Sequence, residues 1–209
     1  MSTELARAHL VEETVPLRDG RPVRLLRPRD SEELLEEEAF EHEELLPYWA
    51  ELWPSSVALA RAIGNRSLRN ARTLELGCGL GLVSIAAAIA GGRVLATDWS
   101  AESIRFTRSN AQINDVEVET AIVDWAEPQT LIDQGPWPVV LASDVLYEKR
   151  SVDQMLDLLP RLVTKEGEVW IADPGRKTSM EFLERASDDW LRRTTDHGRI
   201  EIHRLRLRA

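Results

Sequence analysis

The chain has 209 residues, 43% of them hydrophobic and 30% charged, with a formal net charge of −10. That is enough for one domain or a domain with a small extension, and the acidic balance argues against a protein that tracks a phosphate backbone, where a basic face supplies most of the affinity. Cys78 is the single cysteine, which excludes an intramolecular disulfide and suits a reducing cytoplasm, and four scattered histidines show no metal-ligand spacing, so no metal is expected.

No apolar stretch reaches the ~18 residues that span a bilayer, and the first residues lack the basic start and apolar core of a signal peptide. In chain order, residues 14–17 and 22–26 flank Asp19-Gly20, a strong hairpin turn signal. Their prolines predict edge strands outside the main sheet. Asp30 or Ser31 can cap a glutamate-rich helix over residues 32–40, and the acidic run continues to Glu44. That run reads either as a solvated helix face or as an acidic rim for a cationic substrate. Residues 1–45 are therefore expected to form an N-terminal extension and residues 46–209 the main domain. Pro54 suits the first turn of a helix that buries Val57, Leu59, Ala60 and Ile63. Tyr48, Trp49 and Trp53, just ahead of it, read as core, with a pocket wall equally open for Trp53, since Trp offers area plus a polar N–H.

From Arg72 onward strand and helix alternate, the pattern of a parallel sheet with helices on both faces. Strands are expected over residues 73–76, 93–97, 116–123, 138–142 and 168–172, with helices after Gly81, after Ser100, over 152–163 and over 180–190. Two alternating runs, 191–195 and 201–208, joined by a turn at Gly198, close the chain as an antiparallel pair.

The stretch 73–82 is an apolar strand that carries Glu75 and then passes through Gly77, Gly79 and Gly81 into a helix. The third glycine of a dinucleotide fingerprint would fall at position 82, where Leu82 stands, and the loop lacks the Lys-Ser/Thr of a P-loop. This disfavours a nicotinamide dehydrogenase and points to a nucleoside without a pyrophosphate. Ligands of open α/β sheets bind outside the carboxyl ends of the strands, and acids stand near four of those ends: Glu75, Asp98, Asp124 and Asp144. Asp98 is placed to accept both ribose hydroxyls, with Trp99 beside it, while Asp124 and Trp125 would sit against the base.

The spacing Glu75-x-Gly77-x-Gly79-x-Gly81 resembles the first motif of the class I (seven-β-strand) methyltransferases, which bind S-adenosylmethionine. At the fourth strand the chain reads Asp144-Val145-Leu146-Tyr147, an Asp-x-x-Tyr. With Trp53-Pro54, this resembles the family 16 protein-lysine methyltransferases. Pro47-Tyr48-Trp49-Ala50, Trp53-Pro54 and Asp173-Pro174-Gly175-Arg176 are most similar to the branch that methylates the electron transfer flavoprotein β subunit. The resemblance covers about residues 46–176 and implies an α/β fold: a Rossmann-like seven-stranded mostly parallel sheet, helices on both faces, and a C-terminal antiparallel hairpin. It implies cofactor contacts from Trp53, Gly77, Cys78 (through its backbone), Gly79, Asp98, Trp125 and Ser143. Glu75, Gly81, Trp99 and Asp124 complete the expected cofactor set from their places at the loop and strand ends. Asp144 and Tyr147 are implied to face the incoming lysine. The implied activity is S-adenosylmethionine-dependent methylation of a protein lysine, in a cytoplasmic monomer without nucleic-acid or membrane partners. A small-molecule amine acceptor, or a non-catalytic S-adenosylmethionine-binding domain, are the alternatives.

Overall fold

A computed structural model describes residues 10–18, 20–31 and 47–208. The expected acidic helix over 32–40, its continuation to Glu44, and Asp19 lie outside the described residues. β1 (Leu10–Pro16) and β2 (Pro22–Pro28) pair antiparallel as a two-stranded sheet of their own. α1 (Pro54–Gly64) follows, with Pro54 in its first turn. The alternating section comprises β3 (Arg72–Leu76), α2 (Leu82–Ile89), β4 (Arg93–Asp98), α3 (Ala101–Ile113), β5 (Glu119–Ile122), α4 (Gln129–Gln134) and β6 (Trp137–Ser143). It continues through α5 (Lys149–Leu162), β7 (Val163–Asp173) and α6 (Lys177–Arg185) to β8 (Trp190–Asp196) and β9 (Glu201–Leu207). Among the described residues no helix is long and apolar enough to cross a membrane.

The strands β3 to β9 form one sheet in the order β5-β4-β3-β6-β7-β9-β8. β5, β4, β3, β6 and β7 are mutually parallel, and β9 inserts antiparallel between β7 and β8. The central strands are apolar because both faces are covered. On one face Val152, Met155, Leu158 and Leu162 of α5 and Phe182 of α6 pack on Val140, Val169 and Ile171. On the other, Leu59 and Ile63 of α1 and Val83 and Ile85 of α2 share a core with Leu141, Trp170 and Ile202.

Besides shifts of a few residues at other ends, the structure departs from the sequence reading at β5, α4, β7 and the last helix. The strand expected over 116–123 shortens to β5, an edge strand that pairs only with Leu95–Asp98 of β4. α4 was not foreseen, since it is short and buries only Leu131, too little to show a helical period. β7 starts earlier than position 168, with Val163 paired to Trp137 across a register shift. The last helix ends at Arg185, and Trp190 begins β8 with its ring in the core.

The N-terminal hairpin is docked by both packing and amide side chains. Val15, Leu17, Val23 and Leu25 enter the α1–α2 core. The free edge of β2 is satisfied by α3. Leu26 N–H donates to Asn110 Oδ1 (2.7 Å), and Asn110 Nδ2 donates to Leu26 O (3.1 Å), so one side chain imitates a neighbouring strand. Asn114 does the same for Arg24, at 2.9 and 2.6 Å. Toward the strand starts, Glu168 braces β7 to β9. Burial works against its charge, but hydrogen bonds from Arg204, Arg206 and Trp170 outweigh it and hold its pKa down at about 2.

Asn110 also donates to Leu80 O (2.9 Å), linking the hairpin to the glycine loop. Asn110→Ala strands buried backbone groups on two elements, and a loss of about 2–4 kcal/mol is expected in urea unfolding. Hydrogen exchange should speed up first at the Leu26 amide.

Candidate active site

The strand registers align the site. Leu76 is paired with Thr97 on one side and Ala142 on the other, so Asp98, Gly77 and Ser143 leave the sheet side by side. Ser143 is paired with Ala172, which brings Asp144 next to Asp173 one row later. The chain runs outward from β3 to β4 and β5, then returns to β6 on the other side of β3. The loops after β3 and β6 therefore diverge, and a crevice opens between them.

That crevice is a cavity of about 590 Å³, within the usual size of small-molecule sites. Its floor is Gly77 and Gly79, flanked by Ser143. Asp98 and Trp99 after β4, with Asp124 and Trp125 after β5, form one wall. Asp144 and Tyr147 form the opposite wall, and Trp53 closes the side ahead of α1. The two open readings of Trp53 thus resolve in favour of the pocket. Its indole N–H donates to Tyr48 O (2.8 Å), which fixes the ring against the chain that precedes it.

Ten of the residues singled out from the sequence meet here, and three do not. Glu75 is buried in the sheet, its carboxyl accepting from Ser84 Oγ of α2 rather than reaching the cavity. Cys78 turns its thiol under the loop toward Thr107 Oγ1 (3.4 Å) and Ser103 Oγ (3.7 Å), and burial pushes its pKa well up, so it is an inert support. Gly81 caps α2 at a φ of +84°, where a Cβ would stand 2.9 Å from the Thr107 side chain and 3.1 Å from its Cα. These three shape the loop from behind.

The loop is held by α3 and β4. Gly79 N–H donates to Asp98 Oδ2 (2.9 Å), and Ser100 N–H donates to Oδ1 (3.0 Å). Ser103 Oγ (2.8 Å) and Thr107 Oγ1 (3.1 Å) donate to Gly79 O. Burial raises the pKa of Asp98, opposed by those backbone donors. A Cβ on Gly77 would press on Val145 at 3.0 Å, and its φ is +70°, so the floor stays open only with glycine there.

Several lining residues were not among the site residues expected from the sequence. Tyr48 stands edge-on to Tyr147, with ring centroids 5.6 Å apart, and 6.2 Å from Trp53, so the three rings form a collar. Glu148, Arg150, Ser151 and Gln154 line the start of α5. Arg176, just past β7, also lines the cavity and is ion-paired with Asp144 and with Asp173 (3.1 Å). The strand-end rule that selected the four acids would have selected Arg176, had it been extended past Asp173. Asp144 holds a φ of +57°, uncommon for a residue with a side chain, and its N–H donates to Ala172 O (3.0 Å). The pKa of Tyr147 is raised by burial and then by the charges of Glu148 and Asp98, so its hydroxyl keeps its proton.

A family model described as lysine methyltransferase matches residues 40–189. The chain belongs to the lysine methyltransferase family. The electron transfer flavoprotein beta subunit lysine methyltransferase of Xenopus laevis is 35% identical over 136 residues, covering 62% of this chain and 53% of that protein. The protein N-lysine methyltransferase METTL21A of Danio rerio is 30% identical over 120 residues, covering 54% and 55%. The chain thus spans about half the length of the curated relatives it matches. Among solved structures, the T. thermophilus 16S rRNA N2 G1207 methyltransferase in complex with AdoMet and guanosine superposes with a TM-score of 0.69 at 13% identity, over 95% of this chain and 51% of that one. That similarity shows the shared fold. Membership of the family makes S-adenosylmethionine the methyl donor of this domain. The cavity's donor and acceptor set fits that molecule: Asp98 supplies a carboxylate able to accept from hydroxyls, Gly77 and Gly79 leave backbone without side chains, and the indoles of Trp99 and Trp125 offer flat apolar faces.

Glu75 yields a pH test. Burial lifts its pKa to about 8, against opposing hydrogen bonds from Ser84, so folding retains a proton that the unfolded chain releases near 4.5. Its contribution is full below pH ~4.5 and is lost as pH rises through about 8. In thermal melts Glu75→Gln should lack this decline, so the variant gains on the wild type between pH 5 and 9.

Proposed function

We propose that this protein transfers methyl groups from S-adenosylmethionine to the ε-amine of a lysine in a protein acceptor. The supporting observation is that Asp144 and Tyr147 share one cavity with the glycine floor and Asp98. Bound there, S-adenosylmethionine supplies a methyl group made electrophilic by its sulfonium. Asp98 would take the ribose hydroxyls, Gly77 and Gly79 the backbone contacts, and Trp99, Asp124 and Trp125 the base.

The acceptor must arrive neutral, although a free lysine has a pKa of ~10.4. Desolvation and a neighbouring positive charge both favour loss of its proton. The collar of Tyr48, Trp53 and Tyr147 suits the apolar stem of a lysine. Asp144 accepts a hydrogen bond from the amine and so aims its lone pair. Tyr147, protonated, is a second hydrogen-bonding partner and not a base. A single buried cysteine supports a cytoplasmic setting. The names of the similar proteins make the electron transfer flavoprotein β subunit the first acceptor to try.

The test is incubation of the protein with methyl-labelled S-adenosylmethionine and either that subunit or a whole lysate. A labelled protein band, its label on lysine after hydrolysis, is expected. Asp144→Ala should cut transfer at least ~100-fold through lost alignment, while the Kd for S-adenosylmethionine stays within a few-fold. Wild-type transfer by that variant would overturn the role given to Asp144.

A further inference from the structure

Asp144 presents a chemical difficulty. A lone carboxylate beside a lysine amine stabilises the ammonium form, which cannot react. The structure supplies a counterweight. The Arg176 guanidinium is shared between Asp144 Oδ1 and Asp173 Oδ2, and both Asp144 and Arg176 line the cavity. Its backbone is fixed independently, because Asp173 Oδ1 accepts from Gly175 N–H (2.7 Å) and Arg176 N–H (2.8 Å) in a turn that Gly175 makes at a φ of +81°. The Asp173 side chain is 1% exposed and that of Asp144 7%, so little solvent screens the group. Asp144 Oδ2 has no hydrogen-bond partner among the described residues, which leaves it for the amine.

We propose that Arg176 is a positioning residue that sets the charge of the acceptor end, orienting Asp144 and holding the Asp144–Arg176–Asp173 group at one net negative charge. The inference rests on the methyltransferase reading above. One negative charge matches one cation, the sulfonium of the bound donor. Within this group it leaves no surplus to stabilise the acceptor as an ammonium. Without Arg176 the same group carries two negative charges, favouring the sulfonium more strongly and a protonated lysine with it. The other charged or titratable groups near this end do not replace it. Glu148 and Arg150, at the start of α5, face each other at 3.7 Å. Tyr147 keeps its proton, Asp98 and Asp124 line the same cavity but as carboxylates supply no positive charge, and Glu201 and His203 of β9 face each other at 3.7 Å beside Asp173.

The first measurement needs no acceptor. Calorimetric Kd values for S-adenosylmethionine and for uncharged S-adenosylhomocysteine give a charge preference for each variant. Arg176→Gln should raise the preference for the sulfonium about tenfold, Arg176→Lys should leave it within about twofold, and Asp144→Asn should lower it. An unchanged ratio in Arg176→Gln would overturn the proposal, as would a Lys variant that behaves like Gln. If Arg176→Gln does not fold, a ratio in Asp144→Asn equal to wild type overturns it. The second measurement is the pH dependence of kcat with the electron transfer flavoprotein β subunit. The acid limb of Arg176→Gln should move up by about one pH unit or more and converge with wild type near pH 10. A uniform loss at every pH would mean a merely structural arginine and overturn the proposal. Should the wild type fail to methylate that subunit or any lysate protein, the lysine reading falls while the affinity ratio still decides the charge role.

Discussion

β3 has β4 on one side and β6 on the other, and the chain reaches them in opposite directions. Two loops that leave adjacent strands must then part, and the gap between them cannot be filled by either. Everything that lines the cavity depends on this divergence. The parallel ladder converts it into chemistry, because register places Asp98, Gly77 and Ser143 in one row and Asp144 and Asp173 in the next. Side chains far apart in the chain meet because their strands end together.

The buried polar groups divide by what they support. Cys78, Ser103 and Thr107 sit behind the glycine loop and hold its shape through hydrogen bonds to one another and to Gly79 O, while Glu75 ties β3 to Ser84 of α2. Buried polar atoms cost free energy unless paired, so this network fixes a single loop conformation. Asn110 extends it outward, since the same amide that completes the edge of β2 also holds Leu80 O. The N-terminal hairpin is thereby joined to the floor of the site.

The wall proposed for the acceptor is a charged one. Asp144, Arg176 and Asp173 come from two strand ends, and the positive φ at Asp144 is held by its bond to Ala172 O on the neighbouring strand. A carboxylate that must align an amine without stabilising its protonated form requires such a partner. The aromatic collar adds apolar surface beside that group without adding charge.

Much of this was legible in the sequence. Hydrophobic runs of four to six residues ending on acids mark parallel strands, because a strand covered on both faces must be apolar until it reaches the crevice. Asp98 and Asp144 could be selected on that ground, the three glycines from the loop between strand and helix, and Tyr147 only through the resemblance to the family, while the Asp-Gly turn with flanking prolines set the hairpin apart from the main sheet. What the tertiary structure alone decided is which polar groups face the ligand and which face the protein. Glu75 and Asp98 are both acids at the carboxyl-terminal side of a strand, but Glu75 stands level with Ala96, two rows short of Asp98, so α2 covers it while Asp98 reaches the cavity. Trp53 could have been core or wall until the Tyr48 carbonyl was seen to hold its indole. Arg176 lies 32 residues from Asp144, and no local pattern relates them. They are neighbours because Ser143 pairs with Ala172, a register set by packing across the sheet rather than by either segment alone.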